Sequence, residues 1–297
     1  MFRCGDIVKI KARCIVCLLN VREAELERLS LDPEDKNNVM VEITRLYIEI
    51  LKDRSLTPAE ASTRLFRELK KLTKNRDPYL KEKKQANRIA ITIYRKLKEK
   101  TLGLCDSERL MLAVKASLAG NALDLGVAGY SFKTNSLLEE IEKIEPAIRD
   151  VWIFEKVDGL KIVFLLDNCG EAVLDRLLAE ELKRRGAYTI AVVKGDTFQN
   201  DITINEVEDA GLDKSFDRVI STGIDAASVF LYELPKRVKE ELFTADIIVS
   251  KGMAHFEYLE EVKAKFDSKI VYLLKAKCKP IAEALKVPLG SYVVRLA

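Results

Sequence analysis

The chain has 297 residues, enough for one large or two modest domains. Its 50 lysine and arginine residues nearly balance 47 aspartate and glutamate residues, so the net charge of +3 gives little support for nucleic acid or a membrane surface as a partner. No apolar run approaches the roughly 20 residues of a membrane-spanning helix, and the first residues lack the apolar region of a secretion signal, so we expect a cytoplasmic protein.

The first half of the chain has helical periodicity with long charged faces, from about residue 16 to residue 157. Asp32 has the position of an N-cap before a proline, and Thr57 opens a capping box. Two further helices are predicted over residues 77–100 and 106–119. The second of these is apolar on much of its circumference, which predicts that it is buried.

The second half alternates strand and helix patterns. The predicted strands cover residues 161–166, 189–193, 218–220, 246–250, 269–274 and 292–294, and the predicted helices cover residues 172–185 and 234–244 and begin again at Pro280. The first strand is a continuous apolar run, typical of a central parallel strand covered on both faces. The alternation predicts an α/β fold with a mostly parallel, doubly wound sheet. We place the boundary between a helical N-terminal region, 1–155, and an α/β region, 156–297, near residue 155.

Polar side chains follow the first predicted strand, at the edge where open α/β sheets bind their ligands. Asp167 and Asn168 come directly after this strand, and Gly170 allows a tight turn into the next helix. Carboxylate and amide oxygens suit hard cations such as Mg²⁺ or Mn²⁺. The alternative is helix capping by Asp167 or Asn168. Capping needs only one of them, however, and an unpaired carboxylate after five apolar residues is costly to bury.

Further carboxylates follow the second strand. Asp196 and Asp201 both lie in the segment after residue 193. If this segment meets the loop of Asp167, either aspartate could complete a cation site. The alternative is that residues 201–203 begin a short helix.

Basic residues follow the later strands. Lys251 beside Gly252 is a candidate phosphate contact. His255, the only histidine of the chain, is a candidate pocket residue, although a buried hydrogen-bonding role is favoured over acid–base catalysis. Lys277 either completes an anion-binding cradle or lies on a solvated face.

Two polar residues follow the buried helix of the first half. Helix termination explains Gly120, but it does not explain why Asn121 and Asp124 have a spacing that lets both face one site. Together with the strand ends, these residues suggest carboxylates that hold a metal ion and lysines that hold a phosphoryl group. That division of labour is the one expected for metal-assisted phosphoryl transfer.

The cysteines allow several interpretations. In a cytosolic chain of this size a disulfide framework is not expected. Cys14 and Cys17, with Cys4 or Cys105, could bind Zn²⁺ or form a redox pair, but buried packing is the favoured role. Cys169 lies inside the proposed site, where a nucleophilic role is disfavoured because no base is near it in the sequence.

Taken in order, these motifs resemble the DUF89 family, the damage-control phosphatases, and most closely its prokaryotic, largely archaeal branch. The shared elements span nearly the whole chain: Cys14-Ile-Val-Cys17, Gly120-Asn121-Ala-Leu-Asp124, Asp167-Asn168-Cys-Gly170-Glu171, Asn200-Asp201-Ile-Thr203, Ser250-Lys251-Gly252 and Lys275-Ala-Lys277-Cys278. The composition, with 33% charged residues and only two glutamines, Gln85 and Gln199, also fits a heat-adapted protein.

The resemblance implies a helical N-terminal region packed on a Rossmann-like domain. It implies a divalent metal, Mn²⁺, Mg²⁺, Co²⁺ or Ni²⁺, held by Asp167, Asn168 and Asp201, and substrate contacts from Lys251, Gly252 and Lys277. Secondary pocket members would be Asn121, Asp124 and Glu171. The family hydrolyses phosphate esters, including sugar phosphates and cofactor-related phosphates.

Two segments depart from the family pattern. Family members often have Gln-Gly-Asn or Asp-x-Asn after Lys-Gly, where this chain has Met253-Ala254-His255. The Arg-Thr-x-Lys motif of the eukaryotic sugar-phosphatase branch corresponds to Leu274-Lys275-Ala276-Lys277, so only the lysine is kept. The substrate choice of that branch is therefore not carried over.

The sequence thus predicts a metal-dependent phosphatase that acts on a small phosphorylated metabolite. Asp167, Asn168 and Lys251 would be the catalytic residues, and the attacking group would be metal-activated water or Asp167 itself. The alternatives are an S-adenosylmethionine-dependent carboxyl methyltransferase and a non-catalytic metal-binding protein. The oligomeric state is not predicted.

Overall fold

The computed structural model describes the backbone of residues 8–122 and 134–297 and the side chains of residues 8–120 and 138–297. Two predicted site residues are affected: Asp124 and the side chain of Asn121 lie outside the described residues. Cys4 lies outside them as well. No helix of the described part is long and apolar enough to cross a membrane.

The first half of the described chain is helical, as predicted. Its helices are α1 (Ala12–Glu27), α2 (Pro33–Ile50), α3 (Pro58–Thr73), α4 (Leu80–Thr101), α5 (Asp106–Ala122) and α6 (Thr134–Glu142). Asp32 caps α2 by accepting the Asp35 N–H at 2.8 Å, and Thr57 forms the predicted capping box of α3. α4 begins three residues later than predicted, because the carboxylate of Asp77 caps a turn instead and pairs with Lys83.

The second half forms the predicted mostly parallel sheet. Its strands are β1 (Ile148–Arg149), β2 (Lys161–Leu165), β3 (Tyr188–Val193), β4 (Arg218–Ser221), β5 (Ile247–Lys251), β6 (Lys269–Lys275) and β7 (Tyr292–Leu296). The intervening helices are α7 (Glu171–Arg184), α8 (Val207–Ala210), α9 (Leu212–Ser215), α10 (Lys236–Phe243), α11 (Gly252–Val262) and α12 (Lys279–Leu285). The elements absent from the sequence-based prediction include β1, α9 and α11.

The strand order is β1-β7-β6-β5-β2-β3-β4, and only the β6–β7 pair is antiparallel. The chain runs from β2 outward to β4 and then returns to β5 on the other side of β2. This change of direction creates a crevice at the carboxyl ends of β2 and β5, the position where doubly wound sheets bind ligands. The boundary at residue 155 stays a prediction, since β1 of the first half pairs with β7.

Helices cover both faces of the sheet. On one face α4, α5 and α7 pack against alternate residues of the strands, such as Ile162 and Phe164. On the other face α10, α11 and α12 pack against the intervening residues, such as Val163 and Leu165. Helices α1 and α2 extend this second layer through a separate apolar cluster shared with α3. Burial on both faces explains why β2 is a continuous apolar run.

Candidate active site

The turn between β2 and α7 carries the first two predicted ligands. After Leu166 the chain leaves the sheet, and Gly170 takes a positive φ of 78° as it enters α7. The Gly170 N–H donates to Asn87 Oδ1 of α4 at 2.7 Å. This turn is therefore fixed from the helical side, and it places Asp167 and Asn168 at the crevice beside the end of β5.

The segment 200–202 pairs with this turn. The Cys169 N–H donates to Asn200 O at 2.9 Å, and the Ile202 N–H donates to Asp167 O at 2.8 Å. Asn168 and Asp201 are thereby opposed in an antiparallel bridge. The predicted meeting of Asp167, Asn168 and Asp201 at one place therefore agrees with the backbone geometry.

The other aspartate of that segment lies elsewhere. Asp196 is exposed, and its carboxylate accepts the Thr197 N–H at 2.7 Å. The alternative of a short helix is also realised, because Thr203 caps a 3₁₀ turn over Ile204–Glu206. Asp201 precedes that turn, so the two interpretations of this segment are compatible.

The loop that carries Asp201 is also fastened to the helical layer. Gln199, with a positive φ of 45°, donates its side-chain N–H to Glu25 Oε1 of α1 at 2.8 Å. Lys70 of α3 donates to Thr197 O at 2.7 Å. The loop is thus held between the sheet and the helices.

Burial raises the pKa of two carboxyl groups of this site. Burial, followed by the charges of Asp201 and Glu171, raises the pKa of Asp167 well above its usual value. Burial raises the pKa of Asp201 to about 7, against the opposing charge of Lys194. Asn168 Nδ2 donates to Asp167 Oδ2 at 3.0 Å and to Glu171 Oε2 at 3.1 Å. The arrangement is an acidic cluster tied together by one amide.

Lys251 is surrounded by polar and charged groups of the protein. Its side chain is fully buried, and its ammonium donates to the backbone and the hydroxyl oxygen of Ser117 at 2.6 and 2.7 Å. It also pairs with Glu171 Oε1 at 3.1 Å and with Asp175 Oδ1 at 2.9 Å. Lys251 therefore fixes the start of α7 against α5. Its contact with a phosphate stays a prediction.

Gly252 has a clear steric role. Its φ is +72°, and a Cβ at this position would lie 1.9 Å from Asp167 Oδ2. A glycine is therefore required for Asp167 to approach the end of β5. Gly120 has a similar role, because a Cβ there would lie 2.8 Å from the Cα of Glu171.

His255 is buried and has a partner on each ring nitrogen. Nε2 lies 3.2 Å from Lys194 Nζ, and Nδ1 lies 3.0 Å from Ser228 Oγ. Burial and the charge of Lys194 lower the pKa of His255 well below its usual value, so the ring is neutral. This position fits the hydrogen-bonding role that the sequence favours, and a substrate contact stays a prediction.

Lys277 is exposed at the end of β6. Its positive charge opposes the rise in the pKa of Asp167, which places it within electrostatic reach of the site. It is therefore better placed than Lys251 to meet an incoming phosphate from solvent.

The residues fit a hard divalent cation. Within the residues described, no three histidine, cysteine, aspartate or glutamate side chains are arranged to hold a metal ion. A cation at this site would therefore need an amide ligand as well: the carboxylates of Asp167 and Asp201 together with the amide oxygen of Asn168. Asp201 Oδ2 is buried, accepts no hydrogen bond of normal geometry from the described residues, and has Lys194 Nζ as an ion-pair partner at 3.4 Å. Oxygen donors with such an excess of negative charge suit Mg²⁺ or Mn²⁺.

The charge balance supports the same conclusion. Buried carboxylates outnumber buried ammonium groups at this site by four to two: Asp167, Glu171, Asp175 and Asp201 against Lys194 and Lys251. With all four carboxyl groups ionised, two negative charges would be unbalanced, and a divalent cation would offset them and so favour the ionised forms over the protonated forms that burial promotes.

Sequence reasoning missed two of these charged residues. Lys194 follows β3 directly, so the rule that strand ends carry site residues could have found it. Asp175 lies one helical turn after Glu171, and its pKa is raised to about 6 by burial despite its pairing with Lys251. No sequence signal separates Asp175 from the other acidic residues of α7.

The described cysteines are free thiols. Cys169 is buried beside the site with its Sγ 3.8 Å from Asp201 O, and burial raises its thiol pKa well above the usual value. That environment disfavours a thiolate nucleophile. Cys14 is half-buried and Cys17 exposed on α1, whereas Cys105 lies near Ser107 at the start of α5. A zinc or redox role stays untested.

Comparisons with known proteins agree with this geometry. Residues 10–293 match the damage-control phosphatase ARMT1-like domain family. A Methanocaldococcus jannaschii protein is 33% identical over 98% of this chain and 96% of its own. Proteins named damage-control phosphatases from Archaeoglobus fulgidus and Pyrococcus horikoshii are 31% and 32% identical, over 97% and 96% of this chain and 99% and 97% of their own.

A solved structure has the same fold. The crystal structure of a DUF89 family protein from Pyrococcus horikoshii superposes with a TM-score of 0.87 at 30% identity, covering 97% of this chain and 99% of that one. The predicted resemblance and the α/β fold are therefore confirmed. The names of the relatives indicate a phosphatase role in this group of proteins.

Proposed function

Because the chain belongs to the damage-control phosphatase ARMT1-like domain family, we propose that it is a divalent-metal-dependent phosphatase that hydrolyses small phosphate monoesters. The observation that carries this proposal is the pairing of residues 200–202 with the turn after β2. That pairing brings Asp201 to Asp167 and Asn168 at the crevice of the sheet, where a ligand would bind.

Each site residue has a task in this proposal. Asp167, Asn168 and Asp201 would hold the cation, and Lys194 would fix Asp201 through its ion pair at 3.4 Å. The bound cation would supply polarisation of the phosphoryl oxygens. Lys277 would offset the charge of the phosphate from the solvent side, while Lys251 would position Glu171 from behind.

The attacking group is a water molecule or the carboxylate of Asp167. Attack by Asp167 would form a bond from its oxygen to phosphorus and break the bond between phosphorus and the ester oxygen, which would take a proton from solvent water and leave as the alcohol. Water would then hydrolyse the phosphorylated aspartate to free aspartate and phosphate. Acid quenching during turnover of an ester with a radiolabelled phosphoryl group separates the two routes. Only attack by Asp167 leaves the label on the protein.

The proposal is tested with an aryl phosphate and a panel of phosphorylated metabolites, each with Mn²⁺, Mg²⁺, Co²⁺ or Ni²⁺. We expect turnover that a chelator abolishes, and a fall of at least about 100-fold in Asp167→Ala and Asp201→Asn, which each remove a charged ligand. Asp196→Asn is the matched control, since it removes an exposed aspartate from the same loop. Wild-type turnover and metal affinity in Asp201→Asn would refute the site.

The same panel and one further titration test the two alternative functions that the sequence analysis left open. Metal binding without hydrolysis of any ester would favour a non-catalytic role. A saturable heat on titration with S-adenosylmethionine in the absence of metal would favour the methyltransferase.

A further inference from the structure

A cavity of about 210 Å³ lies at the carboxyl edge of the sheet, beneath the helical layer. Helix α1 contributes Cys14 and Cys17 to its wall, and the start of α3 contributes Pro58. The first turn of α11 contributes Met253, and the loops after β3 and β6 contribute Phe198 and Cys278.

Several residues that line the cavity are close neighbours in the chain of proposed site residues. Met253 follows Gly252, the glycine that leaves room for the carboxylate of Asp167. Phe198 precedes Asp201 in the loop after β3, and Cys278 follows Lys277 after β6. Three segments at this edge of the sheet, the loops after β3 and β6 and the start of α11, would therefore supply both site residues and a wall of the cavity.

The wall offers few polar groups to a ligand. It is formed mostly by apolar side chains and thiols. Gln199 is engaged with Glu25, Arg13 is exposed, and Ser62 adds one hydroxyl group to the wall. Burial raises the pKa of Glu257 to about 8, so this carboxyl is uncharged at neutral pH. A sugar would bury more hydroxyl groups here than these few polar groups can pair, which disfavours it.

Resting on the phosphatase function above, we propose that this cavity binds an apolar organic group of the substrate while the phosphoryl group lies at Asp167 and Asp201. The substrate class is then a phosphate monoester with an alkyl or aryl group next to the phosphate, in preference to a sugar phosphate.

The test compares methyl, butyl and hexyl phosphate with glucose 6-phosphate in the metal-loaded wild-type protein. Burial of each methylene group should raise kcat/KM by about four-fold until the cavity is filled. Ala254→Phe, which fills the cavity from α11, should lower kcat/KM for hexyl phosphate at least ten-fold and leave methyl phosphate within two-fold. Ala284→Phe is the matched control, because Ala284 is also a half-buried helical alanine packed on the same core but does not line the cavity.

Two measurements keep the result decisive. Cys17→Phe narrows the cavity from an exposed position of α1 and replaces Ala254→Phe if that variant does not fold. Calorimetric binding of hexylphosphonate and methylphosphonate, which cannot be hydrolysed, reports on the cavity without turnover.

Equal kcat/KM for methyl and hexyl phosphate, or a preference for glucose 6-phosphate, would overturn the cavity proposal and leave the phosphatase function standing. If no ester is hydrolysed, tighter binding of hexylphosphonate that Ala254→Phe weakens would support the cavity, although the phosphatase function fails. Equal or absent binding of the two phosphonates would then overturn the cavity proposal as well.

Discussion

Gly252→Ala tests how closely Asp167 is constrained. The added Cβ would lie 1.9 Å from Asp167 Oδ2 and 2.5 Å from its Cγ, whereas ordinary contact begins at 3.4 Å. The carboxylate must therefore shift by about 1.5 Å, the difference between 3.4 and 1.9 Å. A misplacement of about 1 Å at a reacting centre costs roughly 100-fold in rate.

We therefore expect Gly252→Ala to lower kcat/KM on an aryl phosphate by at least about 100-fold, or about 2.7 kcal/mol of transition-state stabilisation. Affinity for Mn²⁺, measured by calorimetry, should fall as well because a ligand moves. The alanine also adopts a positive φ, which lowers the free energy of unfolding by about 1–2 kcal/mol.

Gly159→Ala separates the clash from the backbone strain. Gly159 has the same φ of +72°, and a Cβ there meets nothing within 4 Å. In this control the free energy of unfolding by guanidinium should fall by a similar amount, because the alanine also adopts a positive φ. Its turnover should equal that of the wild type. If both variants have the same kcat/KM and Mn²⁺ affinity, the close approach of Gly252 to Asp167 has no functional role.

Two further substitutions test the buried charges. Lys251→Met leaves Asp175 buried without its cation, so the free energy of unfolding by guanidinium should fall by about 3–5 kcal/mol. In the control Lys236→Met, which removes an exposed lysine, it should stay within about 0.5 kcal/mol of the wild-type value. Equal effects of the two substitutions would contradict a structural role for Lys251. Glu257 keeps its proton in the folded state up to a pKa of about 8 but loses it near 4.5 when unfolded, so wild-type stability should fall between pH 4.5 and 8 relative to Glu257→Gln. The exposed Glu23→Gln should give the wild-type pH profile, and a constant difference between Glu257→Gln and wild type would contradict the assignment.

The sequence predicted the fold well where local pattern decides structure. The apolar run of β2 and the caps at Asp32 and Thr57 each mark an element that the structure contains. β1 was not predicted, because a strand of two residues is too short to show an alternating pattern. Its pairing with β7 also joins positions that are distant in the sequence. The antiparallel direction of β7 is likewise a property of tertiary packing.

The site residues that follow predicted strands could be found from the sequence. Asp167 and Asp201 stand directly after or near apolar strands, and the parallel sheet brings such ends together. The burial of Lys251 was not predictable, because a lysine after a strand looks the same whether it meets solvent or the two carboxylates of α7. The close approach of α5 to α7 at Gly120 places Ser117, Glu171 and Asp175 around its ammonium.

The loop of Asp201 is held on one side by the turn after β2 and on the other by Glu25 and Lys70 of the helical layer. Amino acid changes in that layer can therefore alter how freely the loop fluctuates without touching any reacting atom. In evolution, adaptation of the rate to temperature can then take place in α1 and α3, while the acidic cluster itself stays unchanged.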